Sequence, residues 1–310
     1  MSKPLTVALT GASGFVGGHV LARLLTEGHK VRALVRSPTR FDPKVSDAKL
    51  TVVEGDLFDD RALAQLVDGV EVVVHLVGII RQRPRRGQTF DRIHHEATRR
   101  LVVAAKQAGE PRWLQMSALG TGPGAVSTYH RTKWLGEQVV RNSGLAYTII
   151  RPSIIHGPDG EFMEMVKGFW QKRFPPFVPY FGSGIWGRDR AGHLQPVWID
   201  DVAECFTEAM TRDRTIYETY PLGGPDVYTW PGFYETCKKH LPRARNKKIV
   251  AVPAWYASVI AGKPLVPFNK DQVIMSQEDS TCAIGKVQND FGIELAAFEP
   301  TFAEYAEQIR

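Results

Sequence analysis

Tyr129 and Lys133 stand four residues apart in YHRTK, a spacing that stacks both side chains on one face of a helix. An ammonium beside a phenol favours the phenolate and brings a tyrosine toward a pKa useful for proton transfer. Ser117 lies at the end of the apolar run RWLQMS, where its hydroxyl can hydrogen-bond the same substrate carbonyl or hydroxyl. A surface tyrosine and lysine would show the same spacing. Their place shortly after a strand-end serine favours the catalytic reading, with Ser117, Tyr129 and Lys133 acting together.

A second constellation is TGASGFVG, residues 10–17. Gly11 suits a tight turn from strand to helix, Gly14 lets backbone approach a pyrophosphate, and Gly17 lets the helix pack closely. A helix N-terminus there offers free N–H groups and a positive dipole end to phosphate. Ser13, Phe15 and Val16 fall in the same turn and are expected, with Gly11 and Gly14, to contact a dinucleotide. The first gap is one residue longer than the standard G-x-G-x-x-G.

At the end of the next apolar run, ALVRSP, a site for NAD would carry an acid toward the ribose 2′-hydroxyl. This chain has Val35 and then Arg36, with Arg40 close by. A guanidinium can bind a 2′-phosphate that a carboxylate would repel, so NADP(H) is expected over NAD(H). Asp56 and Leu57, just past the third run, are expected beside the adenine.

The elements that must position these groups follow from periodicity. LTVALT, KVRALV, LTVVEG, VEVVVHLVG, RWLQMS and AYTIIR are apolar runs separated by helical patterns near 60–67, 91–108 and 127–143. That alternation predicts an α/β fold: a doubly wound parallel Rossmann sheet with a small mixed C-terminal substrate lobe. The dinucleotide-binding domain is expected over 1–155, with segments near 196–225 returning to it, and the lobe mainly over 156–310. Residues 157–196 are rich in Gly, Pro and aromatics with weak periodicity. QPVWIDDVAECFTEAM reads as a short strand, Asp caps and a helix; further helices are expected near 230–241 and 300–309.

Charge narrows the classes. The net charge of +6 arises wholly in residues 81–112, where nine Lys/Arg face three Asp/Glu. A uniformly basic nucleic-acid coat is therefore excluded. Arg81, Arg83, Arg85 and Arg86 surround Pro84 in a loop, and Arg92, Arg99 and Arg100 continue along a helix. A solvated surface accounts for them; so would an anionic substrate, an acidic protein partner or an anionic membrane surface. No aromatic platform is interleaved with the arginines, so nucleic acid is not expected. The substrate is expected to be a small molecule, apolar or anionic; the stretch Phe169 to Trp186 would line an apolar pocket or contact lipid, with plain core packing of the lobe the commoner explanation.

Cys205, Cys237 and Cys282 are odd in number and widely spaced, and read as buried thiols in a reducing compartment. With no long apolar segment or signal-like start, a cytoplasmic protein is expected, peripheral at most on the inner face of a membrane. No metal site is expected: His75, His94, His95 and His156 lack ligand spacing and read as helix or core histidines.

TGASGFVG, GDL (55–57), HLVG (75–78), MSALG (116–120), YHRTK (129–133), RPSIIHGP (151–158) and PVWIDDVA (196–203) keep the order and spacing of a known family. The chain resembles the extended and atypical short-chain dehydrogenase/reductase superfamily, with an NAD-dependent epimerase/dehydratase-like fold, over roughly residues 5–225. HLVGIIR, GQTFDRIHHEATRRLV and YHRTKWLGE resemble the branch holding the nucleotide-binding accessory subunit of respiratory complex I and its bacterial relatives. The resemblance implies that Tyr129 is the general acid/base, that Lys133 also binds the nicotinamide ribose, and that Ser117 orients substrate. It implies too that Val77, Gly78, Pro152 and Ile155 line the cofactor. His156 replaces an aromatic frequent before the Gly-Pro turn, and His94 replaces the asparagine usual in extended members, the latter exchange speaking against sugar-nucleotide epimerisation. Two functions follow: an NADP(H)-binding oxidoreductase, or a non-catalytic accessory or assembly protein of an NADH:quinone oxidoreductase-like complex.

Overall fold

The computed structural model describes residues 3–42, 48–187, 189, 191–263, 266 and 268–309. β1 (Thr6–Thr10) runs through the glycine turn into α1 (Phe15–Thr26) and on to β2 (Lys30–Val35). β3 (Leu50–Glu54), α2 (Asp60–Val67) and β4 (Val72–His75) continue the alternation. α3 (Ala97–Gln107), β5 (Arg112–Met116), α4 (Thr128–Arg141) and β6 (Tyr147–Pro152) follow.

The seven-stranded sheet has the order β11-β6-β5-β4-β1-β2-β3, where β11 is Glu218–Leu222, and every pair is parallel. Strand order reverses between β1 and β4, and such a switch point opens a crevice at the carboxyl ends of the strands. Alternating side chains feed two cores. Val7 and Leu9 pack toward α1 and α6 (Ile199–Ala209), while Ala8 packs toward α2, α3 and Val140 of α4. This is a Rossmann-like α/β fold.

The remaining elements are β7 (Ile155–His156), α5 (Glu161–Gln171), β8 (Phe177–Gly182), β9 (His193–Leu194) and β10 (Val197–Trp198). After β11 come β12 (Tyr228–Thr229), α7 (Trp230–His240), β13 (Lys248–Pro253), α8 (Ala254–Ile260), α9 (Lys270–Met275), α10 (Gly285–Phe291) and α11 (Phe298–Tyr305). α5, α7 and α11 share an aromatic core that includes Trp170, Phe233, Phe298 and Phe302. β8 and β13 pair as a parallel ribbon whose carboxyl end leads into α8.

Several local expectations change. The helix expected over 91–108 begins as a π-helical turn, Asp91–Glu96, and Gly136 of α4 lies against its His94 carbonyl. The Asp pair expected to cap α6 lies inside its first turn instead, after Trp198 at the N-cap: Asp200 bonds His19, and Asp201 accepts from the Ala296 N–H. Residues 157–196, expected to lack pattern, hold α5, β8 and β9, since Met163, Val166, Phe169 and Trp170 recur at helical spacing toward the core. Cys205 and Cys237 are buried, whereas Cys282 is only half-buried. Among the described residues no helix is long and apolar enough to cross a membrane.

The basic segment divides by role. Arg112 is drawn inside, donating to the carbonyls of Ala146 and Ala209 and to the hydroxyls of Thr148 and Thr215, and burial lowers its pKa to about 10. Arg100 bonds Asp60 and Glu96, Arg99 bonds Glu96, and Arg92 lies over the Phe58 ring. Arg81, Arg83, Arg85 and Arg86 remain exposed. Their loop is an ordered finger: Arg83 and Gln88 form an antiparallel bridge around the turn Pro84–Arg86.

Candidate active site

The glycine turn is shaped by close approach. Gly11 sits at φ +83°, and a Cβ on Gly17 would stand 2.0 Å from the Gly11 carbonyl oxygen, so only glycine lets α1 pack on the turn. Gly14 precedes α1 without a side-chain cap, leaving the first-turn N–H groups facing the crevice with the positive end of the dipole. Val16 is buried, and Phe15 packs under Gly157 and Gly160. Ser13 is exposed at the turn.

At the end of β2, Val35 is buried and Arg36 exposed; the Arg40 side chain lies outside the described residues. Asp56 caps its own turn by accepting from the Phe58 N–H at 2.8 Å, and Leu57 is buried against α2 and α3. Val35 pairs in register with Glu54, so a carboxylate not singled out in the sequence lies on the strand beside Arg36.

The proton-transfer candidates gather at the carboxyl ends of β4 and β5. α4 begins at Thr128, with Ser127 accepting from the His130 N–H. Asp271 of α9 accepts from the N–H groups of Thr128 at 2.8 Å and Tyr129 at 3.4 Å. That second cap comes from a residue far along the chain. The Tyr129 ring meets Phe90, His94 and His130 edge-on, at centroid distances of 5.7, 5.2 and 5.3 Å. Burial pushes its phenol up to about 12.

Lys133, one turn on, is buried and donates from Nζ to the Met116 carbonyl at 3.2 Å. A Cβ on Gly78 would stand 2.8 Å from that Nζ, so the ammonium lies against the loop after β4. Burial lowers Lys133 to about 8, opposed by the Glu137 carboxylate. The expected depression of the tyrosine by the lysine is therefore not what this state shows. Desolvation dominates both groups and pushes each toward its neutral form.

Ser117 is buried at the end of β5, with its hydroxyl 3.4 Å from that of Thr121. Val77 and Ile155 are half-buried, Gly78 is exposed and Pro152 is buried at the end of β6.

The histidines resolve into structural roles. His75 bonds Thr10 and Thr98, His156 bonds Tyr305, and burial takes each down to about 3. His94 joins two parts of the site. Its Nε2 accepts from the Ile79 N–H at 3.1 Å, and its Nδ1 lies 2.9 Å from the Thr132 hydroxyl. Burial holds it neutral, so Nδ1–H donates and the ring pins the post-β4 loop to the Tyr129 helix. No group of three or more metal-ligating side chains occurs among the described residues.

Glu137 was not singled out in the sequence. It is buried on the face of α4 that carries Tyr129 and Lys133, at the same four-residue interval. Arg151 donates to it through two atoms, at 2.8 and 2.6 Å, and Arg141 approaches at 3.4 Å. The periodicity was its only sequence signal.

A family model described as NAD(P)H-binding matches residues 11–167, half of the chain. The chain belongs to that NAD(P)H-binding family. This NAD(P)H-binding chain is 38% identical over 152 residues to a ceramide reductase of Caulobacter vibrioides, covering 49% of this chain and 47% of that protein. It is 29% identical over 231 residues to the NADH dehydrogenase 1 alpha subcomplex subunit 9 of Arabidopsis thaliana, covering 73% and 55%. The chain thus spans about half the length of these two curated relatives. In fold it is similar to the Bordetella bronchiseptica enzyme WbmH in complex with NAD+, with TM-score 0.72 and 19% identity over 97% of this chain and 98% of that one. A UDP-glucose 4-epimerase of Thermotoga maritima gives TM-score 0.71 and 18% identity over the same shares.

The residues present fit a dinucleotide. The glycine turn clears space that side chains would fill, α1 points an uncapped N-terminus at it, and Lys133 Nζ lies against Gly78 in the loop after β4.

Proposed function

We propose that the chain is an NADPH-preferring oxidoreductase that reduces a carbonyl, with Tyr129 as proton donor. The observation that carries this reading is the placement of Lys133, one helical turn from Tyr129, with its Nζ bonded to the Met116 carbonyl next to Ser117 and lying against Gly78. Bound nicotinamide supplies the hydride. The Tyr129 phenol, held near 12, is protonated throughout the neutral range and gives its proton to the carbonyl oxygen as the carbon gains hydride. The product is an alcohol, and the phenolate takes its proton back from solvent. Lys133 lies one turn away and stabilises that transient negative charge; Ser117 orients the carbonyl by hydrogen bonding. Arg36, with Val35 in the position of the usual acid, supports the 2′-phosphate over the free hydroxyl.

Calorimetric titration with NADPH and NADH, followed by nicotinamide absorbance with a panel of carbonyl compounds that includes ceramide-type lipids, tests the reading. Tight NADPH binding and oxidation by a panel member support it; preference for NADH overturns the part assigned to Arg36. A second reading has a specific observation behind it. The phenol packs among three rings, and relatives are named as NADH dehydrogenase subunits, so a structural nucleotide in an accessory protein is the alternative. Co-purification with respiratory subunits and no NADPH oxidation would favour it.

A further inference from the structure

Five large apolar side chains crowd one end of the β8–β13 ribbon. Ile185 and Trp186 are 75% and 78% exposed, and Trp255, Tyr256 and Val259 of α8 are 60%, 48% and 64% exposed. The Trp255 indole N–H donates to the Ile185 carbonyl at 3.4 Å, so the turn after β8 and the outer face of α8 are one surface. Isolated exposed apolar residues are ordinary; a contiguous group with two tryptophans and a tyrosine is not.

The arginine finger joins this surface through α9. α8 packs on α9 around Ala257 and Val273. Asn269, the N-cap of α9, donates from Nδ2 to the Ile80 carbonyl at 2.7 Å, at the stem of the finger. The Gly262 N–H donates to the Phe268 carbonyl, which brings exposed Lys263 back toward exposed Lys270. Segments 79–90, 183–187 and 254–270 together carry six Lys/Arg and no Asp or Glu, and Asp189, whose carboxylate lies against Gly184, is an acid beside the tryptophan turn.

We propose that this face docks on an anionic lipid bilayer, with Trp186 and Trp255 in the interface and the Arg83–Arg86 finger against headgroup phosphates. Indole and phenol rings suit the boundary between hydrocarbon and headgroups, and flanking cations suit an anionic leaflet. A second copy of the chain is a poor occupant, because a symmetric pairing would face six positive charges with six more. The docking element also touches the active site. Asp271 of α9 caps the Tyr129 helix, and the finger rises directly from Gly78 and Ile79. The proposal stands whether or not the chain turns over substrate.

The test is co-sedimentation of the full chain with vesicles of phosphatidylcholine alone and of phosphatidylcholine with phosphatidylglycerol. The wild type is expected to partition at least about tenfold more strongly to the anionic vesicles, with a blue shift of tryptophan emission. At roughly fivefold per arginine, Arg83→Ala with Arg85→Ala and Arg86→Ala should weaken binding on the order of a hundredfold. Trp186→Ser with Trp255→Ser should abolish the blue shift. All five side chains are exposed, so melting temperatures should stay at the wild-type value and separate lost docking from lost folding. Wild type left in the supernatant with anionic vesicles would overturn the proposal, as would undiminished binding of the arginine variant. So would a concentration-dependent dimer that the tryptophan variant abolishes.

Discussion

Glu137→Gln isolates the carboxylate behind the proton-transfer pair. In the wild type Glu137 is buried and takes two bonds from Arg151, at 2.8 and 2.6 Å, with Arg141 at 3.4 Å. The variant keeps the volume and one acceptor but leaves two partly buried guanidinium groups without their counter-charge. Removing one partner from a buried ion pair costs about 3–5 kcal/mol. The retained amide acceptor and the partial exposure of Arg151 and Arg141 put the expectation at the lower end, about 3 kcal/mol, or roughly a hundredfold in the folding equilibrium. A second effect reaches Lys133, because the Glu137 carboxylate opposes the burial that brings the lysine to about 8. Without it the lysine falls further, so less ammonium is present at neutral pH. Urea denaturation reads the first effect, and the basic limb of a pH–rate profile, moved to lower pH, reads the second. Unchanged stability together with an unmoved basic limb would refute Glu137 as the buried counter-charge that favours the Lys133 ammonium.

Three further outcomes follow from particular contacts. Gly17→Ala places a methyl 2.0 Å from the Gly11 carbonyl oxygen, so α1 must shift; stability should fall by about 1–3 kcal/mol and dinucleotide affinity with it, read by denaturation and calorimetry. On the proposed NADPH preference, Arg36→Ala should weaken NADPH by about tenfold or more and leave NADH unchanged, because the guanidinium would meet only the 2′-phosphate; equal losses for both would remove Arg36 from cofactor choice. Lys133 has a folded pKa of about 8, below its ordinary 10.5, so the unfolded chain holds that proton more tightly. Its contribution makes stability rise from about pH 8 to 10.5, and between pH 8.5 and 9.5 the wild type should gain about 1 kcal/mol relative to Lys133→Met.

The sheet was legible because its signal is local. Val7, Leu9, Val72 and Val74 lie in apolar runs that declare a strand buried on both faces, and TGASGFVG marks the turn by itself. Lys133 and Tyr129 were legible from their shared helix face. Asp271 was not: it caps α4 from 143 residues further along the chain, and no local pattern couples the two segments. The same holds for His94, whose identity as a pin between Ile79 and Thr132 exists only after the helices pack. α5 was hidden by the Gly, Pro and aromatic residues around it, although its buried positions keep helical spacing. The sequence shows the ammonium beside Tyr129 and conceals the rings whose packing buries the phenol and raises its pKa.

On the proposed function, Tyr129 moves a proton during hydride transfer from a bound nicotinamide. The most direct test is a single-turnover measurement of NADPH oxidation, in the wild type and in Tyr129→Phe, with cofactor affinity measured on the same samples. The account predicts affinities within about twofold and a rate on the order of a hundred to ten thousand times lower in the variant. Equal rates in the two proteins would contradict it.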